Sequence, residues 1–195
     1  MQSLEVFGSA AEGEFDPTRS DIDFLVEFSQ DDAGGAARII EVGIFTGYSA
    51  LAMVLALLPD GKLVTCDINE VWADIGKPFW KDAGVEGKIE VRIGPALDTL
   101  REIEADAGAG SFDLAFVDAD KASYPAYHEA ALRLLRPGGI MLLDNMLFMR
   151  RVIDPSNQDA GVLAIRQLNE DIRGDGRVYQ VMLPISDGVT LVRRR

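Results

Sequence analysis

The sequence predicts an α/β fold, in which a doubly wound and mostly parallel sheet carries helices on both faces. From residue 37 onward, short apolar runs rich in β-branched residues alternate with segments whose apolar residues recur at helical spacing. Strict alternation of this kind is typical of parallel sheets built from βαβ units. Two strand-like runs follow each other at the end of the chain, and they predict an antiparallel hairpin at the edge of the sheet.

The elements follow from where the apolar runs are interrupted. The first strand, Arg38–Val42, ends at a glycine turn, and the helix after it, Tyr48–Leu58, is stopped by a Pro-Asp-Gly sequence. The strand Lys62–Cys66 ends at Asp67, and Pro137-Gly138-Gly139 is expected to stop a helix before a later strand. The other strands are predicted at Lys88–Arg92, Phe112–Val117, Ile140–Leu143, Val178–Leu183 and Val189–Val192, and the other helices at Val71–Ala83, Ala96–Ala105, Tyr124–Leu135 and Ala160–Ile172.

Composition excludes several classes of protein. The formal charge of −13 disfavours nucleic acid as the main partner, because phosphate binding needs clustered Lys and Arg. No apolar run reaches the roughly 18–20 residues that span a bilayer, and no signal-like segment opens the chain, so no membrane association and a cytoplasmic location are expected. The single cysteine, Cys66, excludes an internal disulfide and is expected to be buried and unreactive.

Residues 1–35 do not follow the alternating pattern. They are strongly acidic, since residues 1–32 contain nine acids and one base. Strands are predicted at Leu4–Phe7 and Ile22–Phe28, with a loop of Gly, Pro and acids between them. We expect this N-terminal segment not to be an independent domain, and we expect residues 36–195 to form the main one.

The turn after the first strand, Glu41–Ser49, is a candidate nucleoside site. Gly43 permits close approach of a ligand to the backbone, and the following helix N-terminus can hold a carboxylate. Asp67, at the end of the second strand, can accept hydrogen bonds from both ribose hydroxyls. The turn lacks the Gly-x-Gly-x-x-Gly spacing of dinucleotide sites, which disfavours NAD. Glycines after a strand are also common as simple turn formers.

Oxygen donors follow two predicted neighbouring strands. Asp118, Asp144 and Asn145 form an oxygen-only set, which suits Mg²⁺, Mn²⁺ or Ca²⁺ and does not suit zinc. Lys121 lies three residues after Asp118, and an amine beside a cation gives up its proton more readily, so it can act as a general base. Taken alone, Asp118 and Asp120 can equally be helix caps, and Lys121 a surface charge.

The ordered set of motifs resembles the caffeoyl-CoA and catechol O-methyltransferase family over about residues 36–195. The stretch Glu41–Ser49 is similar to the first motif of that family. The further matches are Cys66-Asp67-Ile68-Asn69, Gly94-Pro95-Ala96-Leu97, Val117-Asp118-Ala119-Asp120-Lys121, Leu135-Arg136-Pro137-Gly138-Gly139, Asp144-Asn145 and Pro184-Ile185-Ser186-Asp187-Gly188-Val189-Thr190-Leu191.

The resemblance implies a Rossmann-like methyltransferase sheet and transfer of a methyl group from S-adenosylmethionine to a hydroxyl of a catechol-like small molecule. It implies cofactor contacts at Glu41, Gly43, Ser49, Asp67, Ala96 and Asp120. It also implies that Asp118, Asp144 and Asn145 bind a divalent cation, most readily Mg²⁺, and that Lys121 is the general base. A homodimer is common in the family.

The sequence departs from this family at two places. Family members usually carry several helices before the first strand, whereas the residues before Arg38 do not look helical. The loop Met146–Arg151 lacks the Trp and small residue that the family commonly has there, which puts the identity of the acceptor in question. A non-catalytic protein that binds S-adenosylmethionine, left by truncation, is therefore an alternative function.

The N-terminal segment has its own resemblance. Phe7-Gly8-Ser9, followed by Asp21 and Asp23 one residue apart, is similar to the opening of a minimal nucleotidyltransferase, in which two such aspartates bind Mg²⁺. Nucleotidyl transfer is a second alternative, although neither the third carboxylate nor the rest of that sheet follows.

Several other side chains have packing as their default role. Trp72 and Trp80 are eight residues apart on a predicted helix, and one of them is a candidate adenine contact. Tyr124 and Tyr127 are candidates for lining the site. His128 is expected on a helix surface.

Overall fold

The computed structural model describes residues 37–195 and the backbone of two earlier strands, β1 (Ser3–Phe7) and β2 (Asp23–Glu27). These strands pair antiparallel, where the sequence predicted strands. The Gly-Ser turn, Asp21 and the side chain of Asp23 lie outside the described residues. The nucleotidyltransferase resemblance and the boundary near residue 35 therefore stay predictions.

The main sheet has seven strands, and it confirms the predicted fold class. Its order is β5-β4-β3-β6-β7-β9-β8, in which the first five strands are parallel and β9 is antiparallel to both of its neighbours. The strands are β3 (Arg38–Val42), β4 (Lys62–Asp67), β5 (Ile89–Ile93), β6 (Phe112–Val117), β7 (Leu135–Leu143), β8 (Val178–Leu183) and β9 (Val189–Arg194).

Helices cover both faces of this sheet. Successive side chains of a strand point to opposite faces, so Ile39 contributes to a core with α1 and α2, whereas Ile40 contributes to a core with α3, α4 and α5. Within the described residues, no helix has the length and apolar character to cross a membrane. The helices are α1 (Tyr48–Leu55), α2 (Glu70–Asp82), α3 (Ala96–Ala107), α4 (Tyr124–Leu134) and α5 (Ala160–Gly174).

The predicted start of β7 is wrong. The strand begins at Leu135, which pairs with Phe112, and the next pair joins Ile140 to Leu114. The Pro-Gly-Gly sequence thus lies in an irregularity inside the strand instead of between a helix and a strand. Gly138 has a φ of +79°, so the extra residues bulge out without leaving the sheet.

The expected surface position of His128 is also wrong. Its side chain is buried, because α4 packs against both α3 and α5 and has few fully exposed positions. Burial lowers the pKa of His128 below its ordinary value.

The stability of the core against α3 can be tested with a matched pair of leucines. Leu100 of α3 is 1% exposed, whereas Leu55 of α1 is 60% exposed. We expect Leu100→Ala to lower the free energy of unfolding by about 2–5 kcal/mol through lost contacts and a cavity. Leu55→Ala should stay within about 0.5 kcal/mol of the wild type. Urea unfolding measures both, and equal losses would contradict this packing.

Candidate functional site

The candidate residues meet at the point where the strand order reverses, between β3 and β6. Such a switch point at the carboxyl ends of the strands is where doubly wound sheets bind ligands. Hydrogen bonds continue past the strand ends: Asp118 N–H donates to Val42 O at 2.9 Å, and Asp144 N–H donates to Val117 O at 3.1 Å. The turn after β3 and the acidic residues after β6 and β7 therefore share one edge.

Gly43 lies where the turn after β3 approaches the backbone of Asp118. Its φ is +93°, and a Cβ atom there would lie 2.0 Å from the carbonyl oxygen of Asp118. No other residue fits without moving one of the two backbones. The turn after β3 thus passes directly against the chain that leaves β6.

Asp67 holds the glycine turn from the neighbouring strand. Its Oδ2 accepts hydrogen bonds from the N–H groups of Ile44 and Phe45, both at 3.1 Å, and its Oδ1 accepts from Asn69 N–H at 2.9 Å. A carboxylate has about four acceptor positions, so capacity remains for a ligand hydroxyl.

Glu41 is a fully buried carboxyl beside this turn. Ser49 Oγ donates to its Oε1 at 2.5 Å, while Oε2 has no hydrogen-bond partner among the residues that the structure describes. Burial raises the pKa of Glu41 to about 7. Glu41 and Ser49, both expected to contact the cofactor, are thus hydrogen-bonded to each other. The second carboxyl oxygen of Glu41 is buried and makes no hydrogen bond within the described part of the chain.

Lys121 begins a 3-10 turn, Lys121–Ser123, and its side chain is only 12% exposed. Its Nζ donates to Asp118 Oδ1 at 2.8 Å and to the hydroxyl of Tyr124 at 2.7 Å. That hydroxyl lies 3.1 Å from Val117 O and 3.0 Å from Asp144 O. The buried Tyr124 therefore ties the lysine to the ends of β6 and β7, a role that the sequence left open.

The residues expected to bind a metal follow β6 and β7, at the same edge of the sheet as this lysine. Burial, and then the charge of Asp118, raise the pKa of Asp144 to about 6. Asn145 has a φ of +57°, and its N–H donates to Asp144 Oδ1 at 2.6 Å. Residues 37–195 contain no group of three or more His, Cys, Asp or Glu placed to hold a metal. The expected set has two carboxylates, and its third member is the amide of Asn145.

Asp120 and Ala96 have structural roles of their own. Asp120 caps the 3-10 turn by accepting from Ser123 N–H at 3.2 Å, and it also accepts from the Tyr127 hydroxyl at 2.5 Å. Burial, and then this bond, raise the pKa of Tyr127 to about 12. Ala96 begins α3, just after β5 ends at the same edge of the sheet.

The remaining candidates divide between core and surface. Cys66 is buried as expected, and burial raises the pKa of its thiol to about 12, which keeps it unreactive. Trp80 is buried, whereas Trp72 is half-exposed with its ring 4.9 Å from that of Phe45.

The loop after Asn145 has a strained backbone. Phe148, Met149 and Arg150 have φ values of 45°, 54° and 60°, which are unfavourable for residues other than glycine. The loop is fixed from a distance, because Met149 N–H donates to Asp187 Oδ1 at 2.5 Å and Leu147 N–H donates to Asp187 O at 2.8 Å. The sequence identifies the motif that contains Asp187, but it does not predict the hydrogen bonds between Asp187 and this loop.

This chain is similar to known proteins over most of the residues that form this fold. The profile of the family described as O-methyltransferase matches residues 18–195. The chain belongs to the O-methyltransferase family. The family resemblance stated from the motifs is thereby confirmed, and the family match begins at residue 18, whereas the resemblance was placed at about residues 36–195.

Three relatives place the chain within this family. It is 46% identical over 156 residues to catechol O-methyltransferase domain-containing protein 1 of Mus musculus, covering 80% of this chain and 60% of that protein. It is 42% identical to a probable caffeoyl-CoA O-methyltransferase of Dictyostelium discoideum, covering 82% of this chain and 70% of the relative. The O-methyltransferase TomG of Streptomyces achromogenes, solved with S-adenosylmethionine, superposes with a TM-score of 0.76 at 36% identity, covering 82% of this chain and 73% of TomG.

The buried Glu41 predicts a pH dependence of stability. Its pKa is 4.5 in ordinary surroundings and about 7 in the fold, so between these values the folded chain holds a proton that the unfolded chain has lost. Its contribution therefore lowers the free energy of unfolding as the pH rises from about 4.5 to about 7. The contribution is at most roughly 3–4 kcal/mol, since the pKa rises from 4.5 to about 7 and one pKa unit corresponds to about 1.4 kcal/mol.

Glu41→Gln isolates this contribution. We expect the variant to gain stability relative to the ligand-free wild type between pH 4.5 and pH 8, because other titrating groups are common to both proteins. Urea unfolding at the two pH values measures it. A difference between variant and wild type that is the same at both would contradict the buried, protonated carboxyl.

Proposed function

We propose that this chain transfers the methyl group of S-adenosylmethionine to one hydroxyl of a catechol-like small molecule, with a divalent cation bound to Asp118, Asp144 and Asn145 and with Lys121 as the general base. The observation that carries the proposal is that Lys121 Nζ lies 2.8 Å from Oδ1 of Asp118, the residue whose backbone carbonyl lies directly against Gly43. The proposed base, the proposed cation site and the turn proposed to bind the cofactor then lie at the same edge of the sheet.

The residues at this edge fit a divalent cation. Burial, and then the charge of Asp118, raise the pKa of Asp144 to about 6, and a cation bound beside Asp144 would favour its ionised form. The donors are all oxygens, which Mg²⁺ prefers. When bound, such an ion stabilises the negative charge that develops on an acceptor hydroxyl.

The residues around the turn fit S-adenosylmethionine. No side chain caps the N-terminus of α1, and its first turn has no acidic residue, so a ligand carboxylate is favoured there. The unpaired Oε2 of Glu41 leaves an acceptor for a cationic amino group. Asp67 has acceptor capacity for ribose hydroxyls, and Gly43, Ser49, Ala96 and Asp120 border the same edge.

In the proposed reaction, Lys121 in its neutral form takes the proton of the acceptor hydroxyl. The acceptor oxygen attacks the methyl carbon, the carbon–sulfur bond breaks and its electron pair stays on sulfur, which leaves a neutral thioether. Asp118 and the Tyr124 hydroxyl hold Nζ in place for this transfer. The names of the mouse and Dictyostelium relatives support a vicinal dihydroxy aromatic acceptor.

Calorimetric titration of S-adenosylmethionine into the full chain tests the cofactor site. We expect one-to-one binding that is weakened at least tenfold by Asp67→Asn, because the carboxylate both holds the turn and meets the ligand. Asp106→Asn, an exposed carboxylate at the end of α3, is the matched control and should bind like the wild type. Absence of binding to the folded wild type would sink the proposal.

Methylation of 3,4-dihydroxybenzoate tests the base and the cation. We expect Lys121→Ala to lower kcat by about 10²–10⁴-fold, the usual contribution of a general base. Lys77→Ala, an exposed lysine paired with Asp74, should leave the rate unchanged. A chelator should stop methylation without preventing cofactor binding. Binding without turnover on any catechol would favour the non-catalytic alternative.

A further inference from the structure

A tryptophan of α2 lies against the backbone of the cofactor turn. Trp80 is 2% exposed, and its indole Nε1–H donates to the carbonyl oxygen of Gly47 at 3.0 Å. The same oxygen accepts the N–H of Leu51 at 3.1 Å, in the first turn of α1. The indole is thus bonded at the junction between the turn and the helix that follows it.

Two glycines make room for this ring. A Cβ atom at Gly47 would lie 2.4 Å from Cζ2 of Trp80, and one at Gly76 would lie 2.6 Å from the same atom. The Cβ atom at residue 76 would also lie 2.9 Å from the carbonyl oxygen of Thr46. A glycine inside a helix makes the helix less stable than an alanine would. Packing against the indole explains why Gly76 occupies this position in α2. Gly76 lets α2 and the indole reach the turn.

The turn is held at both of its ends. Asp67 fixes the N–H groups of Ile44 and Phe45, near the end of β3, and Trp80 fixes the carbonyl of Gly47, at the start of α1. Trp80 is buried, and its indole is placed to act on the site through the backbone of the turn. Phe45 is 60% exposed on the outer side.

We propose that Trp80 is a positioning residue of the cofactor site, whose indole N–H fixes the backbone of residues 43–47 in the conformation that receives S-adenosylmethionine. This inference rests on the proposed function. Removing the hydrogen bond while keeping an aromatic ring weakens cofactor binding by roughly tenfold, the size expected of one buried hydrogen bond. It raises the KM for the cofactor and leaves kcat at saturation unchanged.

The first test needs no change at Trp80. The chain has two tryptophans, so the ¹⁵N-labelled protein gives two indole N–H signals, and Trp72→Phe identifies them. We expect the Trp80 proton to exchange slowly with solvent and its signal to shift when S-adenosylhomocysteine is titrated in. A Trp80 signal that stays in place while calorimetry shows the ligand binding would overturn the inference.

The second test compares affinities for S-adenosylhomocysteine. We expect Trp80→Phe to raise Kd roughly tenfold, and Gly76→Ala to do the same with the indole still present, because the added methyl group must displace the ring. Gly174→Ala is the matched control and should bind normally, because a methyl group added to this helical glycine would meet no atom within 4 Å. Thermal unfolding checks that each variant is folded.

The outcomes separate the inference from the function. Wild-type protein that binds neither S-adenosylmethionine nor its product overturns the proposed function. Wild-type binding together with unchanged affinity in Trp80→Phe and Gly76→Ala overturns the role of Trp80 alone. A loss of affinity in these two variants, with Gly174→Ala unaffected, supports it even where Trp80→Phe also lowers the melting temperature.

Discussion

At residue 43 the chain has no space for a side chain, because the carbonyl oxygen of Asp118 occupies the place of a Cβ atom. This contact depends on β3 and β6 being adjacent, parallel and continued by a hydrogen bond beyond their ends. It puts the turn after β3 and the acidic residues after β6 within one site. A wider separation would leave a nucleoside turn and an oxygen-donor cluster as two unrelated features.

Burial and charge then give this site its chemistry. Its carboxyl groups outnumber its one lysine, and the two most buried of them, Glu41 and Asp144, have raised pKa values because water is excluded from them. Lys121 is fixed by a carboxylate on one side and by a buried tyrosine hydroxyl on the other. The candidate residues come from short segments at the carboxyl ends of five neighbouring parallel strands, β3 to β7.

Local patterns in the sequence predicted most of the fold, whereas the roles of the site residues stay predictions. The bounds of β3, β6 and β8 are as predicted, because each is an apolar run ended by turn residues. The start of β7 was missed, since proline and glycine usually end elements but are tolerated where a strand bulges. His128 was misplaced because the pattern of one helix does not reveal that two others cover it.

Contacts between distant segments could not be predicted in this way. The bond from Trp80 to Gly47 joins residues 33 apart, and the bond from Met149 to Asp187 joins residues 38 apart. Nothing in the local sequence distinguishes such a tryptophan from an ordinary core residue. The hydroxyl of Tyr124 is close to Lys121 in the sequence, but its buried position between two strand ends is a property of the sheet.

The bonds that Asp67 makes to Ile44 and Phe45 have a consequence for which ligands the site attracts. In phosphate-binding turns, such N–H groups face an incoming anion. Here a carboxylate of the chain itself already accepts hydrogen bonds from them, so, under the proposed function, this turn favours a positively charged sulfonium over a phosphorylated sugar. In the proposed reaction, methyl transfer would turn that sulfonium into a neutral thioether, which loses this attraction, so the same carboxylate would favour departure of the product.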